Sequence, residues 1–184
     1  LTSNSDKTSI LRDSNITNST EWDIYMTNYS ANHPNIILVN SSFNRSHVNI
    51  SAGELNVSWY LDVTVMNGST GYSGAYVDVL DVFGTNQSHS LTDSSGLTSL
   101  EMAEYSQNSS QNYSSNVTFY SNYTIYARFN YNNPPKTETT NLSTNRQITI
   151  DLGHNPPTHD NPIFQNDPVY QGDPLVCLNQ STTD

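Results

Sequence analysis

The chain has 184 residues, with only six Lys or Arg against 17 Asp or Glu and a formal charge of −11. That balance argues against binding nucleic acid or an anionic membrane surface, both of which need basic patches. No run approaches the ~18 apolar residues of a membrane span, and a single cysteine, Cys177, excludes an intrachain disulfide and a cysteine-only metal site. Cys177 reads either as a buried apolar residue or as a bridge between subunits. With neither an initiator Met nor a signal-peptide pattern, the sequence reads as a processed form or a portion of a longer chain.

In chain order, residues 1–8 are polar and unpatterned, an expected loose or partner-held arm. Over 9–51 the text repeats weakly. Ser14-Asn15-Ile16-Thr17-Asn18-Ser19 and Ser41-Ser42-Phe43-Asn44-Arg45-Ser46 lie 27 positions apart, with short apolar pieces at Ile24-Tyr25-Met26, Ile36-Ile37-Leu38-Val39 and Val48-Asn49-Ile50. This segment resembles the last coils of a right-handed parallel β-helix of secreted archaeal and bacterial surface proteins. The alternative is a set of short strands in an antiparallel module. Either way it needs a neighbour, since one or two coils cannot enclose a core.

Residues 55–66 alternate strictly: Leu55, Val57, Trp59, Leu61, Val63 and Val65 on one face, Asn56, Ser58, Tyr60, Asp62, Thr64 and Met66 on the other. Such alternation predicts a strand with a buried and a wet face, long enough to pass from one sheet or module to another. Turn residues follow at Asn67-Gly68-Ser69-Thr70-Gly71. Ala75-Tyr76-Val77-Asp78-Val79 alternates again, and its phase shift at Leu80 and Val82 predicts a bulge or a strand end. Turns are expected at 83–87 and 92–96, strands at 97–105 and 117–120, and a second stripe at Tyr123, Ile125, Ala127, Phe129 and Tyr131. Asn133-Pro134-Pro135 breaks that stripe, and Ile148, Ile150 and Leu152 form a last one. With no helical period anywhere, the fold class is all-β, a β-sandwich preceded by a short β module.

Gly74-Ala75-Tyr76-Val77-Asp78-Val79, Thr92-Asp93-Ser94-Ser95-Gly96-Leu97 and Tyr123-Thr124-Ile125-Tyr126-Ala127 resemble the Ig-like, prealbumin-type module called the carboxypeptidase regulatory-like domain. The match covers about 100 of the 184 residues. It implies a sandwich fold and service as a spacer in surface proteins, with no catalytic residues to carry over. The polar loop around 108–116 departs from the family's compactness.

Five of the eight prolines fall within 153–184. A hexad repeats there as Asn161-Pro162-Ile163-Phe164, Asp167-Pro168-Val169-Tyr170 and Asp173-Pro174-Leu175-Val176. Proline keeps each repeat extended, and the apolar pairs Ile163/Phe164, Val169/Tyr170 and Leu175/Val176 are candidate intersubunit contacts through strand addition to an open sheet edge. A tail folded back on its own domain is the alternative. The expected division is 1–52, an N-terminal β segment or arm; 53–152, the sandwich; and 153–184, the extended arm.

The glycosylation signal Asn-x-Ser/Thr begins at Asn15, Asn18, Asn28, Asn40, Asn44, Asn49, Asn56, Asn67, Asn86, Asn108, Asn112, Asn116, Asn122, Asn141 and Asn179, fifteen of 25 asparagines. Ser and Thr make up 46 residues, so chance alone would place about six such sequons. The excess predicts a secreted or cell-surface glycoprotein whose sequons mark solvent-facing backbone. From 142 to 178 there is none.

Chemistry is sparse. Gly71-Tyr72-Ser73-Gly74 lacks the spacing of a nucleophile elbow. His154 and His159-Asp160 read as loop rather than metal site, and Asp78, Asp81 and Asp93 lack the oxygen-rich loop of a calcium site. No enzyme, metal or cofactor beyond covalent glycans is expected, and the expected partners are copies of the chain itself. The functional expectation is a structural subunit that assembles head to tail. The alternatives are a spacer of a larger surface protein, or a carbohydrate-binding adhesin using Trp22 or the tyrosines.

Overall fold

The computed structural model describes residues 2–3, 8–17, 19–27, 34–108 and 117–153. Among them the one helical element is the 3-10 turn Arg45–His47. The chain begins by winding. β1 (Thr2–Ser3) and β2 (Thr8–Arg12) make a first turn, β3 (Ile24–Met26) and β4 (Asn35–Val39) a second, and β5 (Val48–Ile50) with the start of β6 (Glu54–Asn67) a third. Corresponding strands stack in parallel, β1-β3-β5 in one sheet and β2-β4-β6 in another. On a third side Asn15 bridges Ser42 in parallel.

The 27-residue spacing is the offset of one such coil, which sets Thr8 beside Asn35 and Asn15 beside Ser42. Stacking puts like on like: Leu11, Leu38 and Val57 form one rung, and Met26 faces Ile50 across another. These side chains, with Ile24, Ile36, Leu55 and Tyr105, make a first core. The pairing is therefore that of stacked coils, not of an antiparallel module. The sequence leads one to expect a loose or partner-held arm over 1–8; Thr2–Ser3 instead pairs within the chain with Tyr25 and Met26, and Thr8 opens β2. A rung is held by backbone groups, so it forms without the apolar pattern that would announce it.

β6 then continues into a second core. The chain adds β7 (Thr70–Gly71), β8 (Tyr76–Leu80), β9 (Asn86–Leu91), β10 (Leu97–Asn108), β11 (Val117–Phe119), β12 (Tyr123–Arg128), β13 (Lys136–Thr140) and β14 (Arg146–Asp151). One sheet has the order β11-β10-β6-β4-β2, with β14 and β7 also on β6; a facing antiparallel sheet has the order β13-β12-β8-β9. Between them lie Leu61, Val63 and Val65 of β6, Val77 and Val79 of β8, Tyr123, Ile125 and Ala127 of β12, and Ile150 of β14.

One edge of β6 pairs with β10 over 54–64. Its other edge is shared end to end, by β4 over 54–58 and by β14 over 61–66, both parallel to it. Trp59 sits at the changeover and packs against both cores. It is only half-buried, unlike the other five apolar residues of its face.

Two strands depart from the sequence expectation. β9 (NQSHSL) begins inside the expected 83–87 turn, and β13 (KTETT) fills the stretch after Pro135. Both are sheet edges with mostly exposed side chains, so neither carries the alternation that marks a half-buried strand. The phase shift after Val79 is a register slip against β9. The stripe 123–131 is buried only through Phe129; Tyr131 is 57% exposed, because β12 ends at Arg128 and the chain turns.

Candidate functional site

Ten of the fifteen sequon asparagines lie in described residues, and none is buried. Asn15, Asn44, Asn86, Asn108, Asn122 and Asn141 are exposed, while Asn40, Asn49, Asn56 and Asn67 are half-buried. Asn18, Asn28, Asn112, Asn116 and Asn179 fall outside the described residues, as do His154, His159, Asp160, Cys177 and the candidate contacts Ile163, Phe164, Val169, Tyr170, Leu175 and Val176.

Local chemistry explains the corner positions. Asn40 and Asn122 hold positive φ of 46° and 79°, a conformation that Asn tolerates. Asn44 caps the 3-10 turn by accepting from the Ser46 N–H. Asn86 opens β9, Asn122 precedes β12 and Asn141 follows β13, so the pairings of β8, β9, β12 and β13 bring these three to one end of the four-stranded sheet. Two of them touch: the Asn141 Nδ2 donates to the Asn122 Oδ1 at 3.2 Å.

At the opposite end of that sheet's outer face is an ionic and aromatic cluster. Asp78 is on β8 between the core residues Val77 and Val79, so it points outward, yet it is only 7% exposed. The His89 Nδ1–H donates to its Oδ1 at 2.6 Å, and Arg128 Nη2 donates to its Oδ2. The Tyr131 hydroxyl is 3.2 Å from the His89 Nε2, and the Arg128 guanidinium lies 4.7 Å from the Tyr131 ring centre. Burial works to raise the Asp78 carboxyl, but the hydrogen bonds from His89 and Arg128 outweigh it and hold it below its ordinary range.

The hydroxyl–imidazole–carboxylate chain ties β8, β9, β12 and the following turn together. The sequence singles out Asp78 but not its partners, because cross-strand neighbours become visible only once register is known. Asp78→Asn is expected to cost about 2–3 kcal/mol at neutral pH. A depressed carboxyl contributes its stability above the unfolded-state value, near 3.9, and loses it as pH falls through the lower folded-state value. Urea midpoints measured against pH should therefore show the wild type and variant converging only in that acid range.

A second charged group sits where the two cores meet. Glu104, 4% exposed, is the extra residue at the register shift of β10 between Ala103 and Tyr105. Its Oε2 accepts from the Trp59 Nε1–H at 2.7 Å and from Arg45 Nη2 at 2.6 Å, so one carboxylate joins β10, β6 and the 3-10 turn. Beside it, burial pushes the Tyr105 hydroxyl up to about 12, partly opposed by Arg45.

The sheet edges differ in character. β9 and β13 are mostly polar, although β9 ends on the exposed Leu91, and the sequons Asn86 and Asn141 lie at their ends. β11 exposes Val117 and Phe119 but lies between the sequons at 108, 112 and 116 and the one at 122. β2 is followed by the sequon at Asn15, exposes Ile10, and among the described residues pairs only with β4. Near the first coils, Trp22 and Tyr25 border an open hollow of about 530 Å³ with Ser19, Thr20 and Glu21. Among the described residues no three His, Cys, Asp or Glu side chains gather as a metal site, and no helix is long and apolar enough to cross a membrane.

No family model matches the sequence, and no curated protein does. Among solved structures, a variant of BcpA, the major pilin subunit of Bacillus cereus, is similar over 56% of this chain and 30% of that one, at 16% identity and a TM-score of 0.29. The matched region is thus less than a third of that pilin's length. What the chain itself establishes is an all-β architecture of several sheets.

Proposed function

We propose that the protein is a secreted, densely N-glycosylated structural subunit that assembles head to tail into an extracellular filament or surface lattice by β-strand complementation between copies. The observation that carries this reading is the outer edge of β2, a parallel rung that among the described residues pairs only with β4 and that exposes Ile10. Coil stacks need a cap to stay soluble, and an extended strand from a neighbour supplies one. The composition of 153–184 suits that donor, with five prolines that favour extended backbone, apolar residues at Ile163, Phe164, Val169, Tyr170, Leu175 and Val176, and no sequon through 178. A contact between unlike surfaces does not close on itself and so propagates. The exposed and half-buried sequons support a glycan coat over the remaining surface.

Electron microscopy of the native material tests the reading, and monomers alone would remove it. Deleting residues 154–184 removes the proposed donor, and deleting 1–13 removes the proposed acceptor edge. Each deletion should abolish polymerisation while leaving glycopeptides at Asn15 or Asn86 detectable wherever that residue is retained. Normal fibres from both would leave strand complementation without support.

The same edge also favours a spacer reading, in which preceding chain of a larger surface protein covers β2; monomeric native material with upstream sequence attached is its signature. The adhesin reading rests on the Trp22–Tyr25 hollow and requires binding to a glycan array that Trp22→Ala removes.

A further inference from the structure

β2, β4, β6 and β14 all run in one direction, because every pairing among them is parallel. Through β4, Thr8 is level with Glu54 of β6, whereas Asp151 is level with Met66. The start of β2 and the end of β14 are therefore offset along the strands by the span from 54 to 66, roughly 40 Å at ~3.3 Å per residue. Across the strands the offset is small. β4 and β14 occupy the same edge of β6, since β10 holds the other, so β2 lies about one strand spacing, ~4.8 Å, outside the line of β14.

A pull at Thr8 and Gly153 is thus directed along the strands. Ladder hydrogen bonds lie across them, so a load along the strands strains a whole ladder together, whereas a load across it opens one bond at a time. Three ladders share this load in series, with five register pairs between β2 and β4, five between β4 and β6, and six between β6 and β14.

The changeover from β4 to β14 would be the weak point, and side-chain and backbone hydrogen bonds splice it. Asn145 Nδ2 donates to the Asn40 Oδ1 at 2.8 Å, the Tyr60 N–H donates to the Asn145 Oδ1 at 3.0 Å, and the Asn40 N–H donates to the Ser58 carbonyl at 2.9 Å. At the exit, the Leu152 N–H reaches the Met66 carbonyl, and Asp151 Oδ1 accepts from the N–H groups of Gly68 and Gly153, each at 2.9 Å.

We infer that the protein has a tension-bearing function, with β6 as the spine through which force applied at the two ends of the fold passes in shear. The inference rests on the head-to-tail reading, in which neighbours attach at or beyond those ends. The clamp itself belongs to one chain and is measured on single molecules. Weak chains that form filaments would sink this inference alone, and strong chains that never polymerise would sink the head-to-tail reading alone.

The test is single-molecule force spectroscopy on the full chain carrying Cys177→Ser, in two geometries at one loading rate. In the first, handles are at the two termini. In the second they are at the N-terminus and at Ser51→Cys, an exposed position just before β6, so that both handles load the same end of the parallel strands. Should Ser51→Cys alter the thermal melt, Glu54→Cys gives the same geometry. The mean unfolding force end to end is expected to be at least about twofold the same-end force, because forced unfolding follows the loaded barrier. Asn145→Ala should lower the end-to-end force and leave the same-end force unchanged. Equal forces in the two geometries, or a lower force end to end, would overturn the inference.

Discussion

Trp59→Ala is expected to lower the unfolding free energy by about 3 kcal/mol, at the low end for truncating a large aromatic because the side chain is only half-buried. The loss has two sources. The indole packs against both cores, and its Nε1–H donates to Glu104, as Arg45 Nη2 also does. Glu104→Ala is expected to cost a similar ~3 kcal/mol, as removing one partner of a buried charge group leaves the other uncompensated; half-exposed Arg45 softens this by turning to water. Because the two residues share one hydrogen bond, the double variant should lose less than the sum, with a coupling of ~1–2 kcal/mol. Urea denaturation followed by circular dichroism measures all three. Strict additivity, or a two-step transition in the wild type, would show that the cores do not depend on this junction.

Gly96→Ala should cost about 4 kcal/mol or prevent folding. Gly96 has φ +81°, and a Cβ there would stand 2.4 Å from the Val65 carbonyl oxygen and 2.7 Å from the Tyr72 nitrogen. These are backbone atoms held by their own bonds, the Val65 N–H donating to the Gly96 carbonyl and the Tyr72 N–H to the Val65 carbonyl, both at 2.8 Å. No side chain can swing aside. Gly84, with φ +77° and nothing within 4 Å of an added Cβ, is the control. Gly84→Ala bears only the conformational term, about 1 kcal/mol. Comparable thermal melts for the two variants would contradict the steric argument.

Much of the sandwich is legible in the amino-acid pattern alone. The alternation of 55–66 places β6, and those of 75–79 and 123–129 place its facing strands, because each has a buried and a wet face. The elements that leave no such mark are those without that contrast. β9 and β13 are edges, and β1 is two residues held by backbone pairing. The coil offset is visible in Asn15 and Ser42, but parallel and antiparallel stacking of short strands leave the same mark on a sequence. The sequon positions are readable residue by residue, since the signal is local. The Asp78–His89–Arg128–Tyr131 and Trp59–Glu104–Arg45 clusters are not, because each joins residues brought together only by register or by a bulge.

The parallel pairing of β14 with β6 also bears on how the chain reaches this state. Tyr60 meets Asn145 across a separation of 85 residues, so the second half of β6 waits for nearly the whole fold to be synthesised before its last edge is filled. Contacts at such separation close slowly, because the loop's entropy is lost before the pairing returns anything. Until then Leu61, Val63 and Val65 belong to a strand with a vacant edge, the kind of surface that nucleates aggregation. The coil strands pair at separations of 19 to 27 residues and can form earlier. The ladder of residues 146–151 on β6 is thus the last to close, since the chain supplies β14 after every other described strand.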